Sequence, residues 1–440
     1  TTTHTEQLEF GSATMKVKLK EELLHYLWQM KRFDQNDLRT TSGLELSIQA
    51  FGQLNHDAGP DFNNGRIVVD GTSWVGHIEM HLLSSDWYRH RHHDDPAYDN
   101  VVLHVVYHHD REIIRRDGTT IPCLELEFRI DQHTLDQYQS LLSTRNWVPC
   151  ERHLSTVSEL TKRSALDRML AERLAQKAQL LATELEQLNG DLATLIYQRF
   201  AYSLGLTVNA SAMQRLASCI PYRILAKHRD DLFQLESLLF GTSGLIPSTH
   251  QDDYVNALRR EFAILRSKYE LESLQAVEWK YFKLRPAAFP TIRIAQLAKL
   301  IHQIPRLDDL LIQGSVSEIH TQMAVKAEGF WKYHYTWDTA SSPRAKTLGK
   351  SKREVIIINT VAPILWLIGE TRSEQRSKDK AIHLLESVKA EKNHITNKWA
   401  ALGMPNESAM DSQGLVHLKK QFCNQSKCLA CPVGVNIMSQ

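Results

Sequence analysis

The sequence lacks several features that would assign a protein to a class at once. Its 440 residues carry a formal net charge of only +1, which excludes a global basic field for nucleic acid and leaves only local patches. Low-complexity segments and repeats of fixed period are missing, which excludes disordered and repeat proteins. No apolar run approaches the ~20 residues of a membrane-spanning helix, and a signal-peptide pattern is missing. These absences predict a folded cytoplasmic protein without membrane contact.

The length predicts more than one domain, because single hydrophobic cores rarely grow beyond about 250–300 residues. Residues 1–14 are polar and patternless, and an apolar period begins only after Met15. We interpret residues 1–14 as an extension or a cloning remnant. Residues 15–150 combine strand and helix patterns, whereas residues 151–440 are dominated by helical ones. We therefore expect an α+β protein, with a mixed sheet in an N-terminal α/β domain and a larger all-helical domain after it.

Three stretches define the predicted sheet. Two strand-like runs flank Asp70-Gly71, a dipeptide typical of a tight hairpin turn. The apolar run "NVVLHVVY" is typical of a strand that is buried on both faces. "IPCLELEFRI" alternates, and it predicts a strand with Cys123 on a solvent-exposed face. A helix over 19–33 precedes the sheet, and an amphipathic helix with Ser158 and Thr161 as candidate caps follows it.

The second strand of the hairpin carries three ionisable side chains on one face. Because side chains alternate along a strand, His77, Glu79 and His81 project from the same side. Such groups are costly on a dry face unless they are paired or bind a metal. With a two-residue turn, Phe62 opposes Glu79 and Asp61 points away. With a third turn residue or a bulge, Asp61 opposes His81 and joins this face.

The motif Pro60-Asp61 followed by Glu79-Met80-His81 resembles that of the PD-(D/E)xK nuclease fold over roughly residues 15–130. The order of a helix, a hairpin, a connection and a buried strand is similar as well. The resemblance implies a nuclease-like domain over 15–150, in which catalytic Asp61 and Glu79 hold Mg²⁺ or Mn²⁺ for phosphodiester hydrolysis. His81 replaces the family's lysine as the group that orients the water. The alternatives are a relative that no longer cleaves and a structural hairpin with exposed polar groups.

A cluster of histidines and aspartates follows the hairpin in "SSDWYRHRHHDDPAYDN". Imidazole and carboxylate groups at short spacing suit Zn²⁺, Mn²⁺ or Fe²⁺, although the sequence has no HExxH motif. We expect His90 or His93 to complete the acidic site, and His104 to be a hydrogen-bonded core residue. The nuclease resemblance also makes Glu21 or Glu22 an accessory carboxylate, unless both serve the dipole of the first helix. A hydrolase for a small substrate, built on this cluster, would require a closed pocket.

Three of the six cysteines crowd into nine residues, with the spacing C-x4-C-x2-C at Cys423, Cys428 and Cys431. Without a secretory signal, this crowding favours a metal over disulfides. The spacing suits zinc or, with a distant fourth cysteine, an iron–sulfur cluster. Cys150 is the candidate fourth ligand, which would fold the tail back onto the N-terminal domain. His417 is the local alternative for a zinc site, and three free thiols are the remaining one.

Basic side chains in the helical part are candidate contacts to DNA or RNA. "EWKYFKLRPAAFPTIR" interleaves aromatic and basic residues, a pattern that can follow a phosphate backbone and stack bases. A basic loop over 341–354 adds further candidates for phosphate contacts. The candidate contacts are Arg285, Arg293, Lys350, Lys352 and Arg353. The alternatives are the entrance to an amphipathic helix and a solvated loop.

Several motifs taken together resemble the bacterial domain-of-unknown-function family 2851, from about residue 15 to the end of the chain. They are "EELLHYLW", "DAGPDF", "EMHLLSSDWYRH", "YDNVVLHVVY", "LRPAAFPTIRIAQ" and "CLACPVG". The resemblance implies a bacterial intracellular protein of this length, but it carries no known activity and leaves the function to the chemistry of the residues. The residues themselves predict a metal-dependent, nuclease-like protein that acts on or binds DNA or RNA. The alternative is a non-catalytic module for nucleic-acid or protein interaction with a structural zinc or iron–sulfur site.

Overall fold

The computed structural model describes residues 8–10, 17–55, 57–142 and 146–440. They form two compact units: the first comprises the described residues up to Ala165 together with Leu418–Gln440, and the second is Leu166–His417. The sequence predicted a division after residue 150, with the C-terminal cysteines in the helical part. The observed division differs, because the segment from Leu418 belongs to the N-terminal unit.

A mixed six-stranded sheet forms the centre of the first unit. Its elements are, in chain order, β1 (Leu8–Phe10), β2 (Val17–Leu19), α1 (Glu21–Gln29), β3 (Leu46–Ala50), β4 (Gln53–Leu54), β5 (Phe62–Val69), β6 (Thr72–Leu83), α2 (Asp86–Arg89), β7 (Val101–His108), β8 (Cys123–Glu125) and α3 (Gln132–Leu142). The sheet has the order β3-β5-β6-β7-β8, with β4 paired to β5. β5 is antiparallel to both β3 and β6, whereas β7 is parallel to β6 and β8 is parallel to β7.

The apolar pattern explains the centre of this sheet and fails at its edge. β7 is buried at every residue from Val101 to Tyr107, and therefore on both faces, which confirms the prediction for its apolar run. Within the sheet it lies between β6 and β8. The strand predicted from alternation ends already at Glu125, and Cys123 is buried, so its prediction as a solvent-exposed residue was wrong. β8 lies at the end of the sheet, where few ladder bonds support a long strand. α1 is also shorter at both ends than the predicted helix over 19–33.

Helices make up most of the second unit. From Glu159 onwards the elements are α4 (Glu159–Gln187), α5 (Leu192–Leu204), α6 (Ala210–Cys219), α7 (Tyr222–Lys227), α8 (Leu232–Thr242), α9 (Asp253–Tyr269), α10 (Pro290–Gln303), α11 (Leu307–Gln313), α12 (Val316–Gln322), β9 (Lys326–Ala327), β10 (Lys346–Thr347), α13 (Lys350–Ile356), α14 (Ala362–Thr371), α15 (Gln375–Ser387), α16 (His394–Ala401) and α17 (Ala409–His417). The short ladder of β9 with β10 departs from the all-helical prediction. Ser158 caps α4 as predicted, because its hydroxyl accepts from the backbone N–H of Thr161 at 3.1 Å.

One apolar stretch of the second unit meets the length and composition of a membrane span. In the described part of the chain this holds for Lys350–Thr371 alone, with a mean hydropathy of 1.4. Of its most apolar window, 72% is buried within the protein, as in the core helices of soluble proteins. The burial of this stretch is therefore compatible with a helix of a protein core.

The chain returns to the first unit at its C-terminal segment. A π-helical turn over Leu418–Phe422 leads to a short 3₁₀ turn over Cys423–Gln425, and α18 (Pro432–Met438) closes the segment. α18 packs against α3. The first unit is therefore built from two parts of the sequence that lie far apart.

Candidate active site

The turn of the β5–β6 hairpin has two residues, as Asp70-Gly71 predicts. The strands pair directly on either side of it. Asp70 and Gly71 have φ angles of 46° and 78°, the left-handed values of a tight hairpin turn. An uninterrupted ladder from this turn would place Phe62 opposite Glu79 and would turn Asp61 away from that carboxylate.

A β-bulge in β5 changes the register. The ladder with β6 shifts between Phe62 and Gly65, so that Phe62 pairs with Ile78. Asn64 lies in the bulge with a φ of 60°, a left-handed conformation that asparagine tolerates better than most residues. A Cβ on Gly65 would lie 2.5 Å from a side-chain carbon of Ile78, so the close approach of the strands favours glycine. A bulge was one of the two conditions that would bring Asp61 to the Glu79 face, but this bulge shifts the register in the direction opposite to the expected one.

Asp61 and Glu79 therefore meet across the hairpin. The sequence predicted Asp61 opposite His81, but the shifted register makes Glu79 its neighbour. The backbone N–H of Asp61 donates to Oε2 of Glu79 at 3.1 Å, and the N–H of Met80 donates to Oδ2 of Asp61 at 3.0 Å. Glu79 is only 5% exposed. Two carboxylates thus share one largely buried site and are oriented by backbone donors.

α1 adds a histidine that was not predicted from the sequence. Nε2 of His25 lies 3.2 Å from Oδ2 of Asp61. Burial acts to lower the pKa of His25, but the hydrogen bond and the charge of Asp61, followed by the charges of Glu21 and Glu22, raise that pKa overall. A positively charged imidazole is therefore favoured beside the carboxylate pair.

Three further imidazoles converge on Glu79. Nε2 of His92 lies 3.3 Å and Nε2 of His81 lies 3.6 Å from its Oε1. Nδ1 of His90 is 3.1 Å from Nε2 of His81, and the ligand atoms of all three histidines lie within 4.8 Å of one another. Behind them, Nε2 of His104 is 2.8 Å from Nδ1 of His81. This buried hydrogen bond confirms the predicted core role of His104 and fixes the ring of His81.

Burial dominates the electrostatics of this cluster. Burial, and next the charge of Asp61, raise the pKa of Glu79 well above its ordinary value, against the hydrogen bond from the Asp61 backbone. Burial and the neighbouring histidines lower the pKa of His81 well below its ordinary value. The same causes lower the pKa of His92 to about 4 and that of His104 to about 3. The imidazoles are therefore neutral at pH 7, which is the form that binds metals.

The arrangement offers the ligand types of a divalent metal site. Asp61 and Glu79 supply oxygen, and the three histidines around Glu79 supply nitrogen. Oxygen ligands suit Mg²⁺, whereas imidazole nitrogen shifts the preference towards Mn²⁺, Fe²⁺ or Zn²⁺. His104 gives His81 the outer hydrogen bond that metal-binding histidines usually make. The residues thus fit a divalent cation, and Mn²⁺ fits both kinds of ligand.

Comparison with known proteins places the chain in a family. The model of the family described as "Protein of unknown function (DUF2851)" matches residues 21–394. The chain belongs to this family. No curated protein and no solved structure matches it. The matched range of the DUF2851 family includes Asp61, Glu79 and the histidine cluster and ends before Cys423, although we had expected the likeness to reach the end of the chain.

In this DUF2851 chain, α1 carries both candidate accessory carboxylates. The charges of Glu21 and Glu22 both act on His25, but only that of Glu21 also acts on the buried Glu79, while that of Glu22 acts on Cys428. Glu21 and His25 lie four residues apart, about one helical turn, so both can face the sheet from α1. That spacing is a signal from which His25 could have been found.

The histidine loop contributes different residues from those expected. His90 joins the cluster as predicted, but the ring of His93 turns to Asp94, with Nε2 3.6 Å from its carboxylate. His92 takes the place expected for His93, in a 3₁₀ turn over His92–Asp94 and stacked on Tyr98 with ring centroids 3.8 Å apart. The histidines at 90, 92 and 93 lie so close in sequence that no periodicity could show which of them face the site.

A second carboxylate–histidine group lies at the other end of β7. Nδ1 of His108 is 3.1 Å from Oε1 of Glu125 and 2.7 Å from Oε2 of Glu127. The three ligand atoms lie within 4.8 Å of one another. Because the side chains of this group are all partly exposed, its ion pairs are hydrated. It provides a matched comparison for the buried group around Glu79.

The predicted nucleic-acid contacts separate into buried and accessible residues. Arg293 is only 5% exposed and donates to Oε1 of Gln296 at 2.7 Å, and burial lowers its pKa to about 10, so its prediction as a surface contact was wrong. Arg353 donates to the carbonyl of His320 at 2.6 Å. Lys350 and Arg285 are exposed. The basic loop over 341–354 ends in a helix, because Lys350, Lys352 and Arg353 all lie in α13.

Proposed function

We propose that this protein is a metal-dependent phosphodiesterase of the nuclease type, with its centre at Asp61 and Glu79. The observation that carries the proposal is the bulge at Asn64, which sets Asp61 against Glu79 beside three imidazoles. A structural hairpin would gain nothing from two carboxylates placed together out of water, because burial and like charge both oppose their ionisation. The order of β5, β6 and the parallel strand β7 supports the likeness to the PD-(D/E)xK fold.

Asp61, Glu79 and the histidines at 81, 90 and 92 would hold the cation, with Mn²⁺ preferred to Mg²⁺ because imidazoles contribute. When bound, such an ion polarises a phosphoryl oxygen and lowers the pKa of its water ligand. Glu79 would bind as a carboxylate, and His81 and His92, whose pKa values are lowered, as neutral imidazoles. This assignment makes His81 a ligand oriented by His104, in place of the water-orienting role we had expected for it.

His25 is the residue that would supply the positive charge of the missing lysine. His81 is buried and neutral, and it cannot act as a permanent cation. His25, in contact with Asp61 and with a raised pKa, would balance the charge that develops on the phosphate. Arg89, at the end of α2, and Arg91, directly after His90, are exposed and pair with Asp86 and Asp94. They would exchange these partners for flanking phosphates.

The substrate class would be DNA or RNA in the cytoplasm. Arg285, Lys350 and Lys352 remain the candidate contacts of the second unit, since they lie on helix entrances with exposed or partly exposed side chains. Because net charge is near zero, binding would depend on such local groups and would weaken steeply with salt.

The test is cleavage of single- and double-stranded DNA and RNA with Mn²⁺, comparing the wild type with Glu79→Gln. The substitution keeps the shape of the side chain and the acceptor for the Asp61 amide but removes the charge. Glu127→Gln, in the exposed group at His108, is the matched control and should cleave like the wild type. Cleavage by Glu79→Gln at the wild-type rate would refute the proposal.

One observation favours a second candidate function. A buried neutral histidine stands where an active nuclease of this type has a lysine, so the centre could bind a metal without cleaving. The protein would then be a non-catalytic module for nucleic-acid or protein interaction. Tight Mn²⁺ or Zn²⁺ binding that Glu79→Gln abolishes, without cleavage of any substrate, would select this function.

A further inference from the structure

Four cysteines from two distant parts of the chain meet in the first unit. Cys150 precedes the 3₁₀ turn over Glu151–His153, and Cys423, Cys428 and Cys431 lie between the π-helical turn and α18. None of the six cysteines, all of which lie in the described part of the chain, forms a disulfide. Of these four, only Cys423 is more than 9% exposed. Three of the four lie outside the range that the family match covers, so the grouping rests on the structure itself.

Contacts on both sides of the cysteines attach this segment to the part of the unit that carries Cys150. Nζ of Lys419 donates to the carbonyl of Trp147 at 2.8 Å and lies 4.8 Å from the centre of its ring. At the other end, the guanidinium of Arg32 donates to the carbonyl of Met438 at 3.2 Å, and the hydroxyl of Thr156 donates to the Gln440 side chain at 2.8 Å. The thiols are therefore brought together by fixed backbone.

A hydrogen-bonded turn, a close glycine contact and a left-handed residue constrain the backbone around the thiols. The N–H of Cys431 donates to the carbonyl of Cys428 at 3.2 Å, which forms a turn between them. A Cβ on Gly434 would lie 2.1 Å from that same carbonyl oxygen, so α18 can approach the turn only with glycine at this position. Ser426 adopts a left-handed φ of 54° between Cys423 and Cys428.

The thiols also act on one another electrostatically. Burial, and next the Cys431 thiol, raise the pKa of Cys150 and of Cys428 to about 12. Burial and the other three thiols raise the pKa of Cys423. These mutual effects agree with the contacts that attach the C-terminal segment next to Cys150. Without an ion, buried thiols stay protonated, whereas a metal centre would take them up as thiolates.

We propose that Cys150, Cys423, Cys428 and Cys431 bind an iron–sulfur cluster that joins the C-terminal segment to the rest of the first unit. Four cysteines are the usual ligand set of such clusters, and C-x4-C-x2-C with one distant cysteine is one of their spacings. The alternative ligand His417 belongs to the second unit and contacts Glu172, with Nε2 3.5 Å from its carboxylate. We therefore prefer Cys150 to His417 as the fourth ligand.

α1 connects this cluster site with the carboxylate site. Glu22 acts on Cys428, while Glu21 and His25 on the same helix act on Glu79 and Asp61. The existence of the cluster does not depend on the proposed cleavage, because thiolate ligation is independent of what the other site does.

The experiment is anaerobic purification of the full-length protein, followed by iron and acid-labile sulfide analysis and visible absorption spectroscopy. We expect about two or about four iron atoms per chain, with equal sulfide and a thiolate-to-iron absorption band. Cys150→Ser and Cys431→Ser should each lose at least about nine tenths of the iron. Cys219→Ser, a partly exposed cysteine of the second unit, is the matched control and should retain all of it.

Zinc in place of iron, or wild-type protein without iron and sulfide even after anaerobic reconstitution, would overturn the proposal. Cys150→Ser protein that keeps its iron would overturn the ligand set. Since a serine variant can misfold, the iron and sulfide content of the wild type decides the question by itself. None of these readouts uses nuclease activity, so a failure here is distinct from a failure of the proposed function.

Discussion

The backbone N–H of Asp61 donates a hydrogen bond to Oε2 of Glu79, and the two carboxylates face each other across a bulged hairpin. The relationship exists because two residues of β5 stand opposite one residue of β6. It brings together groups that would repel each other if both were charged, and that conflict has measurable consequences.

Glu79→Gln should stabilise the metal-free protein and abolish its stabilisation by metal. Burial and the charge of Asp61 oppose ionisation of Glu79, whereas a neutral amide needs no such ionisation. At pH 8 the substitution should therefore raise the free energy of unfolding by about 1 kcal/mol. Wild-type protein should gain about 2.7 kcal/mol at Mn²⁺ concentrations a hundred times Kd, and the variant nothing. Urea unfolding with EDTA and with Mn²⁺ measures both effects. A variant that is less stable than wild type in EDTA would contradict this account of Glu79.

Deleting Asn64 should preserve the centre. Without it, Asn63 alone stands opposite His77, and Asp61 keeps its place opposite Glu79 in an uninterrupted ladder. Mn²⁺ affinity, measured by calorimetry, should stay within a few-fold of wild type. The Asn64→Gly variant should also bind Mn²⁺ normally. Asn64→Val should lower the free energy of unfolding by about 1–2 kcal/mol, because a β-branched residue resists the left-handed φ. A folded deletion variant that no longer binds Mn²⁺ would show that pairing does not position Asp61.

His25→Gln should weaken Mn²⁺ binding by about 10–100-fold, the usual effect of removing a residue that orients a metal ligand. It should lower cleavage further, since the positive charge is removed as well. His25→Lys should restore part of the cleavage but not the affinity. His133→Gln, at an exposed histidine on α3, is the control and should change neither quantity. Equal effects of the two glutamine variants would remove His25 from the site.

The metal-free protein should lose stability as the pH falls from 6.5 towards 4. His81, His92 and His104 have lowered pKa values, so the stability they contribute is present above 6.5 and is lost as the unfolded chain takes up protons. The loss is about 1.4 kcal/mol per pH unit for a fully buried imidazole such as His104. The raised pKa values of Glu79, His25 and Glu236 act in the opposite direction, whereas the lowered pKa values of His320 and His417 add to the loss.

Urea unfolding in EDTA at pH 7, 6 and 5 measures this dependence. His104→Asn removes one of the titrating groups and should give a shallower loss than the wild type. Stability that rises as the pH falls over this range would contradict the burial of neutral imidazoles.

Alanine at Arg285, Lys350 and Lys352 together should lower the affinity for DNA or RNA. Each side chain that binds a phosphate should, when it is removed, reduce the slope of log K against log salt by about one. Lys227→Ala, at an exposed lysine of α7, is the control for a general decrease in positive charge. Fluorescence anisotropy over a salt series measures the slope, and an unchanged slope in the triple variant would exclude these residues as phosphate-binding groups.

Local patterns predicted the elements that depend on local chemistry. The turn at Asp70-Gly71 follows from two residues that accept positive φ, and the buried strand β7 follows from its uninterrupted apolar run. The α+β architecture follows from the change of pattern along the chain. The early end of β8 could not be read from alternation, because it depends on the position of that strand in the sheet.

The site was predictable only in part, for a related reason. Asp61 and Glu79 could be named as a pair, but the bulge that makes them meet depends on the packing of Gly65 against Ile78 in the neighbouring strand. His25 reaches Asp61 from a helix that sequence spacing does not relate to the hairpin. Such contacts are set by tertiary structure, and a single sequence does not contain them as a pattern.

The first unit contains residues on both sides of the second, and this fixes the order in which the chain can mature during translation. Leu418–Gln440 leaves the ribosome about 250 residues after Ala165, by which time the whole of Leu166–His417 has been made. The second unit can therefore fold while the first is still incomplete. A chain that stops before Cys423 would lack three of the four grouped cysteines, so the unit that holds Asp61 and Glu79 can be completed only after Leu418–Gln440 has been made.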